Sequence, residues 1–328
     1  MIVQRMMVRG VKTVPDAWQF TVNTEATTPG EKKTGVPLNL YGQDGVTVTV
    51  DWGDGTESVL TPADFAKDDS TASVHEYAEA GVYTVAISSK KFPECYLLSI
   101  DSLTSISTIN NAVAPLYWYR RTLISVDTIL PNVAGKNYYT SPTSVSSLNE
   151  AKNYLSFLFS GCNKCTTIPS GLFNNNTSVT NFSNCFNVCS SLTAIPVGLF
   201  DNNTAVTIFS NCFRGCSSLT AIPAGLFDNN TTVTNFANCF NGCSSLAAIP
   251  AGLFGNNTTV TNFNYCFRGC SSLADFIVHV GSSIVNNASS FVSQKTGATR
   301  TIYVPSGSTT ETTFNAVASS LGLTIIGE

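Results

Sequence analysis

Charged side chains are scarce in this chain, and histidine is nearly absent. Only 12% of the 328 residues are Asp, Glu, Lys or Arg, about half of the usual share. The formal net charge is −4, so the sequence gives no sign of the basic surface that binds nucleic acid or anionic membranes. With only His75 and His279 present, the chain suggests no pairing of a histidine base with a nucleophile.

Long apolar runs and familiar catalytic motifs are missing as well. No run of about 18 apolar residues occurs, so we expect no insertion into a membrane. The N-terminus carries Arg5 and Arg9 but no apolar core or cleavage site of a signal peptide, so we expect no export by the usual route. The chain has no Gly-rich phosphate loop, HExxH or GxSxG motif. We therefore expect a protein that is not an enzyme and uses no cofactor or metal.

A 27-residue repeat occupies the second half of the chain. Two series of cysteines, one of prolines and one of phenylalanines recur at this interval. They are Cys162, Cys189, Cys216, Cys243 and Cys270; Cys185, Cys212, Cys239 and Cys266; Pro169, Pro196, Pro223 and Pro250; and Phe173, Phe200, Phe227 and Phe254. A fixed period of this length is typical of a solenoid, in which each unit buries its apolar face against its neighbours. We therefore predict a solenoid over residues 156–281.

Within one unit, the apolar spacing predicts a helix followed by a strand. Val233, Phe236, Cys239, Phe240 and Cys243 fall on one stripe of a helix. The preceding "NNTT" offers residues for a helix N-cap, and "SSLAAIP" is typical of a short strand that its proline ends. The prediction is one strand and one helix per unit, with a parallel sheet on one side and helices on the other.

The repeat cysteines allow three interpretations: buried thiols, disulfides or metal ligands. Helices pack about 8–10 Å apart, whereas a disulfide needs Cα atoms within about 7 Å. Free cysteine behaves as a small, often buried residue. We favour reduced, packed thiols. Metal is the least favoured, because C-x3-C is not a usual zinc spacing and no repeat contributes a histidine.

The units resemble the BspA-like leucine-rich repeats of bacterial and phage surface proteins, which share an F-x-G-C-x-x-L core. The matching residues are Phe213, Gly215, Cys216 and Leu219; Phe240, Gly242, Cys243 and Leu246; and Phe267, Gly269, Cys270 and Leu273. The unit that ends at Cys189 departs from the pattern, with Val188 in place of glycine. The resemblance implies an α/β leucine-rich-repeat-like solenoid, a class whose partners vary widely.

Residues 1–91 form a separate unit in this interpretation. "GVTVTVDWGDGTESVL" alternates valines on one face and breaks at Asp54-Gly55, a strong hairpin dipeptide; "HEYAEAGVYTVAIS" also alternates. Together these segments resemble the PKD-type immunoglobulin-like domain, which implies an all-β sandwich. The residues that carry the resemblance are structural in that family: Trp52, Gly53, Asp54, Gly55, His75, Tyr77, Gly81 and Tyr83.

Acidic residues in this region suggest a calcium site as an alternative to a structural role. Asp51 and Asp54, with Asp68 and Asp69, offer carboxylate oxygens of the kind that calcium prefers. Aspartates also stabilise their own turns, and this is the interpretation we favour. We expect His75 to be structural, because the chain suggests no nucleophile for it to activate.

Residues 92–155 echo the repeat irregularly, and we predict that they form its N-terminal cap. "PLYWYRR" and "KNYYT" concentrate aromatic residues beside arginine, a combination that stacks on sugars or anchors a protein partner, with burial in the cap as the alternative. The candidate binding residues are Tyr117, Trp118, Tyr119, Arg120, Arg121, Tyr138 and Tyr139. The repeats themselves present mainly small groups. We predict a second cap at residues 282–328, with a helix around 310–320 and a final strand "LTIIG".

Together these features predict a multidomain, non-enzymatic structural or adhesion protein. A PKD-like module ahead of such repeats resembles phage proteins, so the favoured location is the virion, as a tail- or capsid-associated component. The alternative is a bacterial cell-surface adhesin. The expected partners are other virion proteins or a host-surface glycan or protein, not nucleic acid, and a homo-oligomer is left open.

Overall fold

The structure is a computed structural model of the chain. It describes residues 18–23, 40–42, 47–60, 75, 77–78, 81–88, 95–99, 123–126, 134–137, 155, 158–273, 276–279, 300–304, 306–316 and 318–327. In chain order its strands are β1 Trp18–Asn23, β2 Leu40–Gly42, β3 Val48–Asp51, β4 Glu57–Leu60, β5 Val82–Ser88, β6 Cys95–Ser99, β7 Leu123–Val126, β8 Ala134–Asn137, β9 Phe276–His279, β10 Arg300–Val304 and β11 Thr324–Gly327. Its helices, renumbered here, are α1 Thr309–Asn315 and α2 Ala318–Leu321.

A five-stranded antiparallel sheet in the order β4-β3-β5-β1-β7 forms the main N-terminal element. Val48 and Val50 on β3 are fully buried, and so are Val85 and Ile87 on β5. This matches the predicted alternation, because successive side chains of a strand point to opposite faces. The predicted turn at "DG" joins β3 to β4.

The N-terminal sheet extends past the predicted domain boundary at residue 91. β7, from the segment expected to cap the repeats, pairs with β1. A second sheet, β2-β6-β8, also draws on that segment, and its β6 and β8 pair in parallel, unlike the strands of the first sheet. Pairing between distant segments depends on partners that local alternation does not reveal, so the sequence patterns did not place β6, β7 and β8 in these sheets.

Residues 158–273 contain neither an α-helix nor a strand, so the expected helix and strand of each unit are not formed. The backbone hydrogen bonds show why. Cys239 N–H donates to Phe236 O within its own unit at 3.0 Å, whereas Phe240 N–H donates to Cys266 O in the next unit at 2.9 Å. An α-helix requires each N–H to bond four residues back. Alternation of local and cross-unit bonds gives a stack of turns instead.

The buried stripe that suggested a helix arises from these turns. Its spacings of three residues fit turns closed by i to i+3 bonds as well as they fit a helical face. Each unit also contains a left-handed residue that would end a helix. These residues, with φ of 56–58°, are Asn184, Asn211, Asn238 and Tyr265.

Successive units stack in register and bury three columns of phenylalanine. The columns are Phe159, Phe186, Phe213, Phe240 and Phe267; Phe173, Phe200, Phe227 and Phe254; and Phe182, Phe209, Phe236 and Phe263. In the first column, neighbouring ring centroids lie 5.3–5.5 Å apart with the planes within 10° of parallel. The 27-residue interval therefore becomes a contact repeated from each unit to the next.

A ladder of buried asparagines joins the units on the inside. Its members, the last asparagine of each "NN" pair, are Asn176, Asn203, Asn230 and Asn257. The Asn230 side-chain amide donates to Phe200 O at 3.2 Å and to Asn203 O at 2.9 Å, and the same bonds recur one unit on. The "NNTT" pattern predicts helix-capping roles for these residues, and this prediction is wrong because the units contain no helix. Their role is instead to supply donors to backbone carbonyls of the preceding unit.

The cysteines form a second polar ladder. Cys216 Sγ donates to Phe186 O at 3.2 Å, and Cys189, Cys243 and Cys270 make the equivalent bond. Burial raises the pKa of the Cys216 thiol to about 12, which keeps the donor proton in place. The ten cysteines of the repeats, Cys162 to Cys270, are buried and unbridged. However, the packed helices that argued against disulfides are absent. The preference for free thiols now rests on burial and this bond.

The C-terminal region is a parallel three-stranded sheet, β11-β10-β9, beside two short helices. Ser308 caps α1, since its Oγ accepts from Glu311 N–H at 3.1 Å. Phe314 on α1 and Ile302 on β10 are fully buried. The predicted single helix is divided into α1 and α2, and the predicted last strand is found as β11.

Candidate functional site

The two aspartates of the described β3–β4 turn are engaged by that turn. Asp54 Oδ1 accepts from the Thr56 N–H at 2.9 Å and from its hydroxyl at 2.6 Å, and Asp51 Oδ1 accepts from Gly53 N–H at 2.9 Å. Gly53 has a φ of 75°, and an added Cβ would lie 2.3 Å from Thr84 O. The geometry supports the turn-stabilising interpretation of both carboxylates. Asp68 and Asp69 lie outside the described residues.

His75 connects this turn to an aromatic cluster. Its Nε2 lies 2.7 Å from Asp54 Oδ2, and its ring stacks on Trp52 with centroids 4.5 Å apart. Tyr77 meets the His75 ring edge-on at 4.6 Å and donates its hydroxyl to Trp52 O at 3.0 Å. Burial tends to raise the pKa of Asp54, but hydrogen bonds from Thr56 and His75 outweigh burial and hold it below its usual value. These contacts support a structural role for His75.

The predicted binding segment is not among the described residues. All seven candidate residues lie outside the described ranges: Tyr117, Trp118, Tyr119, Arg120, Arg121, Tyr138 and Tyr139. Their role therefore stays a prediction. In the ranges that are described, no group of three or more His, Cys, Asp or Glu residues is placed to hold a metal ion.

The repeats carry a polar surface that the sequence analysis did not single out. Two neighbouring columns of turn residues run along the stack, and we name them together the turn ribbon. The first column is Asn184, Asn211, Asn238 and Tyr265, and the second is Asn187, Arg214, Asn241 and Arg268. Side chains of the two columns touch: Asn241 Nδ2 donates to Asn238 Oδ1 at 2.8 Å. The Arg268 guanidinium carbon lies 5.2 Å from the Tyr265 ring centroid.

Among the residues of the turn ribbon, Tyr265 departs most from the 27-residue pattern. Its side chain is 39% exposed, and its φ of 58° is in the left-handed region. Asparagine tolerates this conformation and occupies the position in the three preceding units, whereas a bulky residue there is uncommon. The sequence contained the signal, a tyrosine aligned with asparagines at the 27-residue interval. The repeat pattern predicts mainly small groups on this surface, and Tyr265 is an exception to it.

Charge is divided between different columns of the repeats. Arg214 and Arg268 belong to the turn ribbon and are exposed, while Asp201 and Asp228 are exposed in the "GLFDNN" turns of another column. The eight ribbon residues include two arginines and no acid. The ribbon is therefore locally positive on a chain whose net charge is negative.

No protein-family model matches this chain, and no curated protein matches it. The resemblances to BspA-like repeats and to PKD-type domains therefore rest on the sequence motifs. Among the helices that the structure describes, none is both long and apolar enough to cross a lipid bilayer.

Proposed function

We propose that this protein is a non-enzymatic attachment protein in which BspA-like units form a solenoid behind a PKD-type immunoglobulin-like domain. The observation that supports this most is the in-register stacking of the units through backbone, asparagine and thiol hydrogen bonds. Stacked repeats offer long surfaces of regular spacing, which suit the binding of extended partners.

The proposed location is the virion, as a tail- or capsid-associated component. The order of modules, a PKD-like segment followed by BspA-like repeats, supports it by resemblance to phage proteins. The partners would be other virion proteins or a glycan or protein of the host surface. A bacterial cell-surface adhesin is the alternative, because the same repeats also resemble those of bacterial surface proteins.

Fractionation of the organism that makes the protein tests this proposal. We expect an antibody against the full chain to detect it in phage particles banded on a density gradient, at a fixed ratio to the major capsid protein. Detection in the envelope of uninfected cells, with removal by external protease, would favour the bacterial adhesin. Confinement to the soluble fraction of lysates, with none on particles or envelope, would contradict both.

A further inference from the structure

We propose that the turn ribbon binds an acidic polysaccharide laid along the stack of units. This inference rests on the proposed attachment function and narrows its partner to one chemical class. The ribbon combines guanidinium groups, amides and one exposed aromatic ring, in two columns whose side chains touch.

The arginines supply the recognition of negative charge. Arg214 and Arg268 stand two units apart in one column. If units are spaced like hydrogen-bonded strands, about 4.8 Å each, the two guanidinium groups are about 10 Å apart along the stack. A guanidinium binds a carboxylate or sulfate through two parallel hydrogen bonds. A linear polymer with regularly placed acidic groups can meet both arginines at once.

The amides and the ring supply contacts to the sugars themselves. An asparagine amide both donates and accepts, so it can pair with sugar hydroxyls of either role. Asn241 stands between the two arginines in the same column and is half-buried. The Asn187 amide is turned to the preceding unit, with Nδ2 on Ser160 Oγ at 3.5 Å and a buried Oδ1, so the sugar contacts come from Asn241. The exposed part of the Tyr265 ring adds an apolar surface at the end of the ribbon, beside the Arg268 guanidinium.

Backbone hydrogen bonds between units hold the main chain of the ribbon at a fixed spacing before any ligand arrives. Gly215 N–H donates to Asn241 O, and Gly242 N–H donates to Arg268 O, each at 2.7 Å. A surface organised in advance loses little conformational entropy on binding, which favours a flexible polymer as the partner.

Other macromolecules fit the ribbon less well. Protein interfaces centre on a buried apolar core, whereas the ribbon offers one aromatic ring among amides and guanidinium groups. Nucleic acid is bound by dense basic surfaces, and the described units from 158 to 273 contain three basic residues, of which Lys164 lies outside the ribbon.

Direct binding of the purified full chain to defined polymers tests the inference. We expect polygalacturonate to bind at low salt, dextran not to bind, and high salt to weaken the complex. The double variant Arg214→Asn with Arg268→Asn should bind at least about tenfold more weakly, since two charge-assisted contacts are lost. Tyr265→Asn should weaken binding to a smaller extent. Each substitution introduces the residue that other units carry at that position, so the stack should be retained.

The matched control is Asp201→Gly with Asp228→Gly, which copies Gly255 and changes charge away from the ribbon. It should leave binding at or above the level of the unmodified chain, with unchanged circular dichroism in all variants. The inference is overturned if polygalacturonate binds no better than dextran, if the arginine variant binds as the unmodified chain does, or if single-stranded DNA binds equally well. If the protein is still found on phage particles in any of these cases, the proposed attachment function is retained and only the polysaccharide ligand is excluded.

Discussion

The N-terminal sheet and the repeat stack use polar groups in different ways. Around the β3–β4 turn, Asp54, Thr56 and His75 form one local network that occurs once. In the repeats, the Asn230 and Cys243 contacts recur at each 27-residue step. A local network can be altered without changing its surroundings, whereas a repeated contact must fit both neighbouring units. The repeat stack therefore tolerates less change at its buried positions than its simple sequence suggests.

The largest expected effect is from Phe213→Ala, which opens a cavity between two stacked rings of a fully buried column. Truncation of a buried phenylalanine costs about 3–5 kcal/mol of unfolding free energy. The chain's tryptophans, Trp18, Trp52 and Trp118, lie outside the repeats. Near-ultraviolet circular dichroism of phenylalanine in a urea titration should therefore show the loss, while tryptophan fluorescence changes less. A loss below 1 kcal/mol would contradict tight packing of the column.

Replacement of a ladder asparagine should have the second-largest effect on stability. Asn230→Leu keeps a side chain of similar size but removes two buried hydrogen bonds to the preceding unit. Each is worth about 1 kcal/mol, so we expect a loss of about 2 kcal/mol in urea titrations. The matched control is Asn229→Leu, an exposed neighbour whose one bond to the preceding unit, to Asp201 O at 3.3 Å, lies in solvent. It should change stability by less than about 0.5 kcal/mol. Equal effects at the two positions would show that the ladder adds nothing specific.

Val188 stands where the next three units carry glycine, and its replacement by glycine should stabilise the stack. Val188 has a φ of 59°, where the next three units carry glycine with φ of 72–79°. A β-branched residue is strained in this conformation, so Val188→Gly should raise stability by about 1 kcal/mol despite the greater entropy of unfolded glycine. Gly242→Val is the reverse test and should destabilise, since an added Cβ has room but the backbone angle is wrong. A stability loss in Val188→Gly would refute the strain.

The smallest expected effect is the pH dependence of the Asp54 network. Hydrogen bonds hold the pKa of Asp54 below its usual value in the folded chain, so the carboxylate stabilises the fold above the unfolded pKa of about 3.9. This contribution is lost as the pH falls through the lower, folded pKa. Thermal unfolding monitored by tryptophan fluorescence should therefore show a fall in Tm below about pH 4, and Asp54→Asn should flatten it. An identical profile in the variant would exclude Asp54 as the source.

How much the sequence predicted also differs between the two regions. Alternation at Val48, Val50, Val85 and Ile87 indicated buried strand faces, because a strand's period is visible locally. In the repeats, the spacing of apolar residues indicated which positions are buried but not the backbone conformation. Stacked turns and helices share the same spacing of three residues. The asparagine ladder and Tyr265 were missed because their meaning depends on the neighbouring units.

The in-register contacts between units have a consequence for how such a chain changes length. The face that the unit of Phe213 presents to its successor is nearly the same as the face that the unit of Phe240 presents to the next, with ring centroids 5.5 and 5.4 Å apart. A deletion or duplication of a multiple of 27 residues therefore restores complementary faces at the junction, whereas a change of another size misaligns the ladders there. Recombination between the gene segments that encode these similar units would lengthen or shorten the stack in whole steps. Relatives of this chain should differ in repeat number more readily than in the residues that form the ladders.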